Sequence, residues 1–395
     1  MTSIERHKDI LFRCYKCGYC KYASVPPYFL PSCPSYERFK FDTYSAGGRM
    51  QIAYGLTEQN LKWTDHLAEI IYACTMCGSC AYQCPHAIGD NIIDIIEALR
   101  EELVERGLAP PKVRDFLENT YKYGNPWKEP RKNRSEWTKG TEIRRYESGD
   151  EFLYYVGCVG SYDPRSKKIA KALGEILLES SISFGVLGND EDCDGNEANM
   201  LGEKGLFQLL AEKNIRKFKK LDVKKIVTLS PHAYNSIKNE YPKYGGNFEV
   251  IHYTQLVREI IRRGKLDVSK GLNAQVTYHD PCFLGRYNEE YDAPRDILRD
   301  IPGIELVEMK RNRENSFCCG GGGGNFYMDF LDGGEESPSR IRIREAYNTG
   351  AEILATACPT CMYMFDDAVK MEGLEEKLAV RDISEIVKES CKMRE

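Results

Sequence analysis

Cys74-Thr75-Met76-Cys77-Gly78-Ser79-Cys80-Ala81-Tyr82-Gln83-Cys84-Pro85 sets three cysteines two residues apart, a fourth three residues on, and then a proline. Three thiolates at that spacing can wrap one corner of a four-iron cubane in a tight turn, while the fourth points away and completes a second cubane. A related run lies upstream as Cys14-x2-Cys17-x2-Cys20-x12-Cys33-Pro34, with a longer gap before its last cysteine. The crossed pattern assigns Cys14, Cys17, Cys20 and Cys84 to one [4Fe–4S] cluster, and Cys74, Cys77, Cys80 and Cys33 to the other. A pair of zinc sites is the competing reading, but zinc tetrads usually come as separated CxxC pairs.

Outward from these runs the chain reads as a helical, ferredoxin-like domain over residues 1–123. Ile92, Ile95, Ile96, Leu99 and Leu103 recur at helical spacing. Gly107, Pro110 and Pro111 end that helix. The insert KYASVPPYFLPS between Cys20 and Cys33 is aromatic and proline-rich, and reads as a loop over the cluster or a docking surface. His86, directly after Cys84-Pro85, is a surface histidine or a hydrogen-bonding partner that tunes a cluster. Residues 124–150 hold Gly124, Pro126, Pro130 and many charges and read as a linker, with Arg131, Lys132, Arg134 and Lys139 on a solvated face.

Beyond the linker the sequence repeats itself at an offset of 124 to 129 residues. FLYYVGC, ending at Cys158, parallels AQVTYHDPC, ending at Cys282. The segment around Ser230 to Ala233 parallels the one around Cys358 to Cys361, and VIHYTQLVREI parallels AVRDISEIVKE. Strand-length apolar runs alternate with amphipathic segments, which predicts α/β units on mainly parallel sheets over 151–266 and 267–395. The motif cysteines fall just after predicted strands, where open α/β sheets collect ligands.

Composition bounds the function class. The chain has 395 residues, a net charge of −5 and 16 cysteines. The charge gives no sign of nucleic acid as a partner. No apolar run approaches the ~18–20 residues of a membrane span, and the N-terminus lacks the apolar stretch of an export signal. A soluble, cytoplasmic protein is expected, with membrane docking through a partner left open. In that compartment clustered cysteines more often hold metal than form disulfides.

The second unit reads Cys282-x35-Cys318-Cys319-Gly320-x37-Cys358-x2-Cys361. With HDPCFLGRYNEEYDAPRDIL, NRENSFCCGGGGG and LATACPTC, it resembles the CCG-domain iron–sulfur proteins across nearly the whole chain. These include the D and B subunits of heterodisulfide reductase and the iron–sulfur subunits of glycolate, lactate and anaerobic glycerol-3-phosphate oxidation. The heterodisulfide-reductase-D-like subunit of class II benzoyl-CoA reductase complexes is a narrower candidate. The resemblance implies a third [4Fe–4S] centre, noncubane in heterodisulfide reductase, on Cys282, Cys318, Cys319, Cys358 and Cys361. Five thiolates exceed the four that zinc takes. The run Gly320–Gly324 would let backbone amides point at sulfur. A structural zinc with a spare cysteine, or a dithiol at CPTC, remain as alternatives.

The first unit keeps Cys158 and Cys193, but has Asp192 before Cys193 and Ser230-Pro231-His232-Ala233 where the fuller motif has CPHC. Ser230 and Pro231 suit a helix N-cap and first turn. This half reads as a scaffold without its cluster; the alternative has Cys158, Cys193 or His232 lining a substrate pocket. Cys391 reads as a free thiol. No P-loop or G-x-G-x-x-G placed after a strand is present, so the chain has no flavin or nicotinamide motif of its own. The resemblance implies a flavoprotein partner, of the heterodisulfide reductase A type or a dehydrogenase. The functional expectation is an electron-transfer subunit of an anaerobic oxidoreductase complex. A disulfide reductase acting at the five-cysteine centre is the enzymatic alternative, and a zinc-stabilised assembly subunit is the third.

Overall fold

The insert between Cys20 and Cys33 is not a plain loop: it forms an antiparallel hairpin of β1 (Tyr22–Val25) and β2 (Tyr28–Pro31) that buries Ala23 and leaves Tyr28 and Phe29 exposed. The structure is a computed structural model and describes residues 2–392; residue 1 and residues 393–395, the extreme ends of the first and last segments, lie outside the described residues.

Each repeat builds one four-stranded parallel sheet. The first contains β3 (Phe152–Tyr155), β4 (Phe184–Val186), β5 (Lys225–Thr228) and β6 (Glu249–His252), in the order β4-β3-β5-β6. The second contains β7 (Ala274–Tyr278), β8 (Ile304–Leu306), β9 (Ile353–Thr356) and β10 (Ala379–Asp382), in the order β8-β7-β9-β10. The two orders are the same, so the internal repeat of the sequence is a repeat of topology. All residues of β3 and β9 are buried, as expected for central parallel strands covered on both faces.

The repeats interlock. The first long helix of the first unit, Pro164–Glu179, packs on the last helix of the second, Ile383–Ser390, while Tyr253–Arg262 packs on Asp292–Asp300. Arg165 reaches Glu385 with two bonds of 2.6 Å across the first pair. One apolar core runs through both units, with Leu173, Leu256 and Val257 in the same cluster as Ile297, Ile386 and Val387. A second core joins the N-terminal helices to the cysteine loops of both units. In that core the predicted stripe of Ile92, Ile95, Ile96, Leu99 and Leu103 is the buried face of helix Ile92–Glu105.

The last helices start at equivalent caps, His252 and Asp382, each in a capping box. The caps meet: Tyr253 Oη donates to Asp382 Oδ1 at 2.7 Å, and Ser384 donates to the same oxygen from N (2.9 Å) and Oγ (2.7 Å). Burial pushes the Asp382 carboxyl up to about 7 against the pull of those bonds. Its folded value therefore lies above the ~3.9 of an unfolded aspartate. The stability linked to this group is full below about pH 4 and is lost as pH rises toward 7. Asp382→Asn keeps the cap but removes the titration. The variant should gain on the wild type, by on the order of 2 kcal/mol, between about pH 5.5 and pH 7.5. Unfolding midpoints of both proteins across that window check this; a constant difference would count against it.

Residues 124–150 are a packed strap rather than a spacer. Trp137 is buried against Tyr154, and Arg144 and Tyr146 exchange backbone hydrogen bonds with Val186, widening the first sheet at its β4 edge. The solvated face expected for the basic residues is corrected at Arg134, which is buried in an ion pair with Glu191 (2.9 Å). Nothing in the charge pattern distinguishes Arg134 from its neighbours, because its partner lies 57 residues away.

Candidate metal centres

The two C-x2-C-x2-C turns share one backbone path. Lys16 and Met76, each just before the middle cysteine, take φ of 58° and 53°, and Gly18 and Gly78, just after it, take 83° and 74°. These left-handed residues fold three thiols around one point. Cys33 and Cys84 cross over. Cys84 lies within electrostatic reach of Cys17 and Cys14, and Cys33 of Cys74. Cys80 faces Cys74, Cys77, Cys33 and Cys20, so the two four-cysteine sets adjoin. Burial pushes Cys20 up to about 12, while Gly47 N–H donates to its sulfur at 3.2 Å.

Exposure grades along this chain of thiols. Cys17 is exposed, Cys14 and Cys84 are half-buried, and Cys20, Cys33, Cys74, Cys77 and Cys80 are buried. His86 stands at the exposed end, 3.7 Å from Cys17 Sγ and against the Tyr15 ring at 4.6 Å. Phe12, Tyr15 and Tyr19 are exposed around it, and Tyr19 packs edge-on against hairpin Phe29.

The second unit gathers all five of its motif cysteines. Cys282 follows β7 and Cys358 follows β9, at the switch point of the sheet order. Cys318 lies within hydrogen-bond reach of Cys282, Cys319 and Cys77, and Cys319 lies 3.4 Å from Cys361. Cys77 therefore belongs to the edge of both sites. Arg286 sits at this junction, partly buried beside Cys77, Cys282 and Cys318. It donates to the carbonyls of Cys77 (2.7 Å), Glu314 (3.1 Å) and Ser316 (2.7 Å), and its Nη2 has no oxygen or nitrogen partner among the described residues.

The glycine run does two jobs where one was expected. Gly320 N–H donates to Cys318 Sγ at 3.4 Å, and Gly321 N–H faces Cys319. Gly322 and Gly323 instead let the loop press on the ferredoxin turn: a β-carbon at Gly322 would stand 2.6 Å from the Thr75 carbonyl oxygen, and one at Gly323 3.1 Å from that of Cys74.

His279, three residues before Cys282, was not singled out in the sequence, though the HDPC motif contains it. A ring nitrogen lies within 4.8 Å of the Cys319 and Cys361 sulfurs, the one close metal-type trio among the described residues. Arg342 Nε donates to His279 Nδ1 at 3.1 Å. An arginine N–H can only donate, so Nδ1 is the acceptor and the neutral ring carries its proton on Nε2. Nε2 has no oxygen or nitrogen partner among the described residues. This tautomer makes His279 a donor toward sulfur and not a metal ligand, which removes the simplest zinc reading of the trio. Orphaned donors on Arg286 and His279 around five convergent thiols fit an iron–sulfur group, whose sulfurs accept such bonds.

The first unit contributes more than scaffold. Ser230 caps the helix Pro231–Asn235, as its sequence predicts. His232 on that helix reaches across to Cys358 and takes Glu197 Oε1 at 2.5 Å. Burial disfavours its charge, but Glu197 and Cys358 outweigh that and hold its pKa well above the usual value. Cys158, Cys193 and His232 line one small cavity of about 40 Å³. Asp192, in the place of a cysteine, is paired with Lys213, Lys217 and Arg131, which despite burial hold its carboxyl well below the usual range.

With this geometry in hand, the likenesses to known proteins are specific. The cysteine-rich domain family, CCG, matches residues 152–238 and 276–366, and the 4Fe-4S dicluster domain family matches residues 10–88. The chain is 40% identical over 334 residues to the probable iron-sulfur-binding oxidoreductase FadF of Bacillus subtilis, covering 82% of this chain and 46% of that one. It is 36% identical over 342 residues to the EtfAB:quinone oxidoreductase of Syntrophomonas wolfei, covering 84% and 48%. It thus spans about half the length of these two relatives. It is 31% identical over 393 residues to the D subunit of the dihydromethanophenazine:CoB–CoM heterodisulfide reductase of Methanosarcina mazei, covering 95% of this chain and 93% of that one. A crystal structure of a hypothetical protein from Helicobacter pylori matches at TM-score 0.56 and 13% identity, over 89% of this chain and 68% of that one, which shows the fold alone. Two ferredoxin-type turns, two CCG units of one topology and a relative matched over nearly its whole length place the chain in the CCG-domain iron–sulfur oxidoreductases, the family that includes the D subunit of heterodisulfide reductase.

Proposed function

We propose that the chain is an electron-transfer subunit that passes electrons between two [4Fe–4S] cubanes and a third, noncubane [4Fe–4S] centre. Cys14, Cys17, Cys20 and Cys84 hold the first cubane, Cys33, Cys74, Cys77 and Cys80 the second, and Cys282, Cys318, Cys319, Cys358 and Cys361 the third. The observation that carries this reading is the contact of Cys77 with Cys318, with Cys282 in electrostatic reach, which joins the ferredoxin domain to the five-cysteine site. Arg286 at that junction stabilises the added negative charge of reduction on either side. The exposed end at Cys17, with its aromatic rim and the β1–β2 hairpin, is the face where a flavoprotein partner of an anaerobic oxidoreductase complex would exchange electrons. No helix among the described residues is long and apolar enough to cross a membrane.

The catalytic alternative, disulfide reduction at the five-cysteine centre, needs room for a substrate. Cys282, Cys318, Cys319, Cys358 and Cys361 are all buried, and the cavity at His232, which neighbours Cys358, has room for about two or three water molecules, which favours the relay. Anaerobic cluster-loaded chain, reduced with a low-potential dye, is expected to reduce a partner flavoprotein and not to turn over small disulfides. Sustained dye oxidation driven by a small disulfide, abolished in Cys319→Ser, would promote the catalytic reading.

A further inference from the structure

The first unit keeps two of its motif cysteines in a setting that the relay does not use. Cys158 follows β3 and Cys193 follows β4, and both line the small cavity that His232 also lines. Their side chains lie within hydrogen-bond reach of each other. Arg134, fully buried, directs Nη1 and Nη2 at Cys158 Sγ, each at 3.6 Å, while Glu191 balances its charge at 2.9 Å. The ligand set of a cluster is absent: Ser230 and Ala233 replace two cysteines and Asp192 a third.

We infer that Cys158 and Cys193 form a redox-active dithiol–disulfide pair that exchanges two electrons with the neighbouring iron–sulfur centre. The inference rests on the relay reading, because the reductant is a one-electron iron–sulfur donor. Cys158 and Cys193 are both buried and the cavity between them and His232 is about 40 Å³, which leaves a second thiol substrate no approach to their sulfurs, so the pair trades electrons and not disulfide bonds. The balance is simple: the disulfide, two electrons and one proton give one thiolate and one thiol. The first electron leaves a disulfide radical anion beside the Arg134 cation. The second opens the S–S bond; Cys193 takes the proton and Cys158 stays a thiolate facing Arg134. The same arrangement holds Cys158 below the usual thiol range through Cys193 and Arg134 despite burial, and holds Cys193 well above it. His232, which touches both the cavity and Cys358, connects the pair to the five-cysteine site.

The test uses the full, cluster-loaded chain under anaerobic conditions. One sample is held with dithionite and one with an oxidising dye of the thionine class. Both are unfolded in excess iodoacetamide and digested for mass spectrometry. In the oxidised sample Cys158 and Cys193 should appear as one disulfide-linked peptide pair; in the reduced sample both should be alkylated. Cys391, whose charged neighbours are Glu179, Asp267 and Lys270, is the internal reference and should be alkylated in both. Cys193→Ser should leave Cys158 alkylated in both samples and the iron content unchanged. Full alkylation of the wild-type pair in both samples, with cluster signals intact, would overturn the dithiol and leave the relay standing. Loss of iron in Cys193→Ser would also overturn it, by making the pair metal ligands. Absence of clusters from the loaded wild type would instead strike the relay itself.

Discussion

Replacing Cys319 with serine is expected to remove one cluster, taking the chain from about twelve irons to about eight while the two cubanes remain. Cys319 occupies the middle of the five-cysteine set, beside Cys318 in sequence and 3.4 Å from Cys361. The Cys319 thiol is held well below its usual pKa, chiefly by Cys318 and Cys361 and with help from Gly321, against the cost of burial. A serine hydroxyl offers neither a soft donor nor an easily lost proton at this point. Iron, zinc and acid-labile sulfide, with low-temperature EPR of the reduced protein, provide the readout. The comparison that gives it force is Cys158→Ser in the first unit, where iron should not change. One zinc and about eight irons in the wild type would sink the third cluster.

Arg100→Leu is expected to lower stability by at least about 3 kcal/mol, or roughly 4 °C or more in thermal midpoint. Arg100 is fully buried in helix Ile92–Glu105 and donates to five backbone carbonyls: Ile71, Tyr72 and Cys74 from Nη2, and Met200 and Gly323 from Nη1. Those oxygens belong to the ferredoxin turn, the first unit and the glycine run. Leucine fills much of the volume but leaves the carbonyls without a donor, each at a cost of about 1–3 kcal/mol if no water replaces it. Arg100→Lys is a poor rescue, because one ammonium cannot span both groups of acceptors. A midpoint within about 2 °C of the wild type would show that water satisfies the site.

Local chemistry was legible in the sequence, and long-range chemistry was not. The C-x2-C-x2-C runs could be read because the ligands of one corner lie within one turn, and the left-handed residues at Lys16, Gly18, Met76 and Gly78 carry out what that spacing demands. The repeat offset was legible because topology follows the order of strands and helices. The roles of Arg100, Arg134 and Arg286 were not, since each acts on atoms far away in the chain; Arg286 binds the Cys77 carbonyl across 209 residues. The packing role of Gly322 and Gly323 was hidden for the same reason: their task is set by Thr75 and Cys74, and a run of glycines does not say what approaches it. His279 could have been found, because a histidine three residues before a ligand cysteine is a local signal. Its tautomer could not, because Arg342 sets it from 63 residues away.

The interlocked helix pairs bear on how a duplicated half can lose ligands and persist. Had the units been separate beads, the first, once without a full ligand set, would have been dispensable. Here its helices Pro164–Glu179 and Tyr253–Arg262 are each one side of a contact whose other side belongs to the unit with five cysteines. Deleting the first unit would strip Ile297, Leu298, Ile386 and Val387 of the apolar surface they bury against. Leu173, Leu256 and Val257 therefore serve the second unit as well as their own. The fold of the five-cysteine half is in this sense completed by its twin.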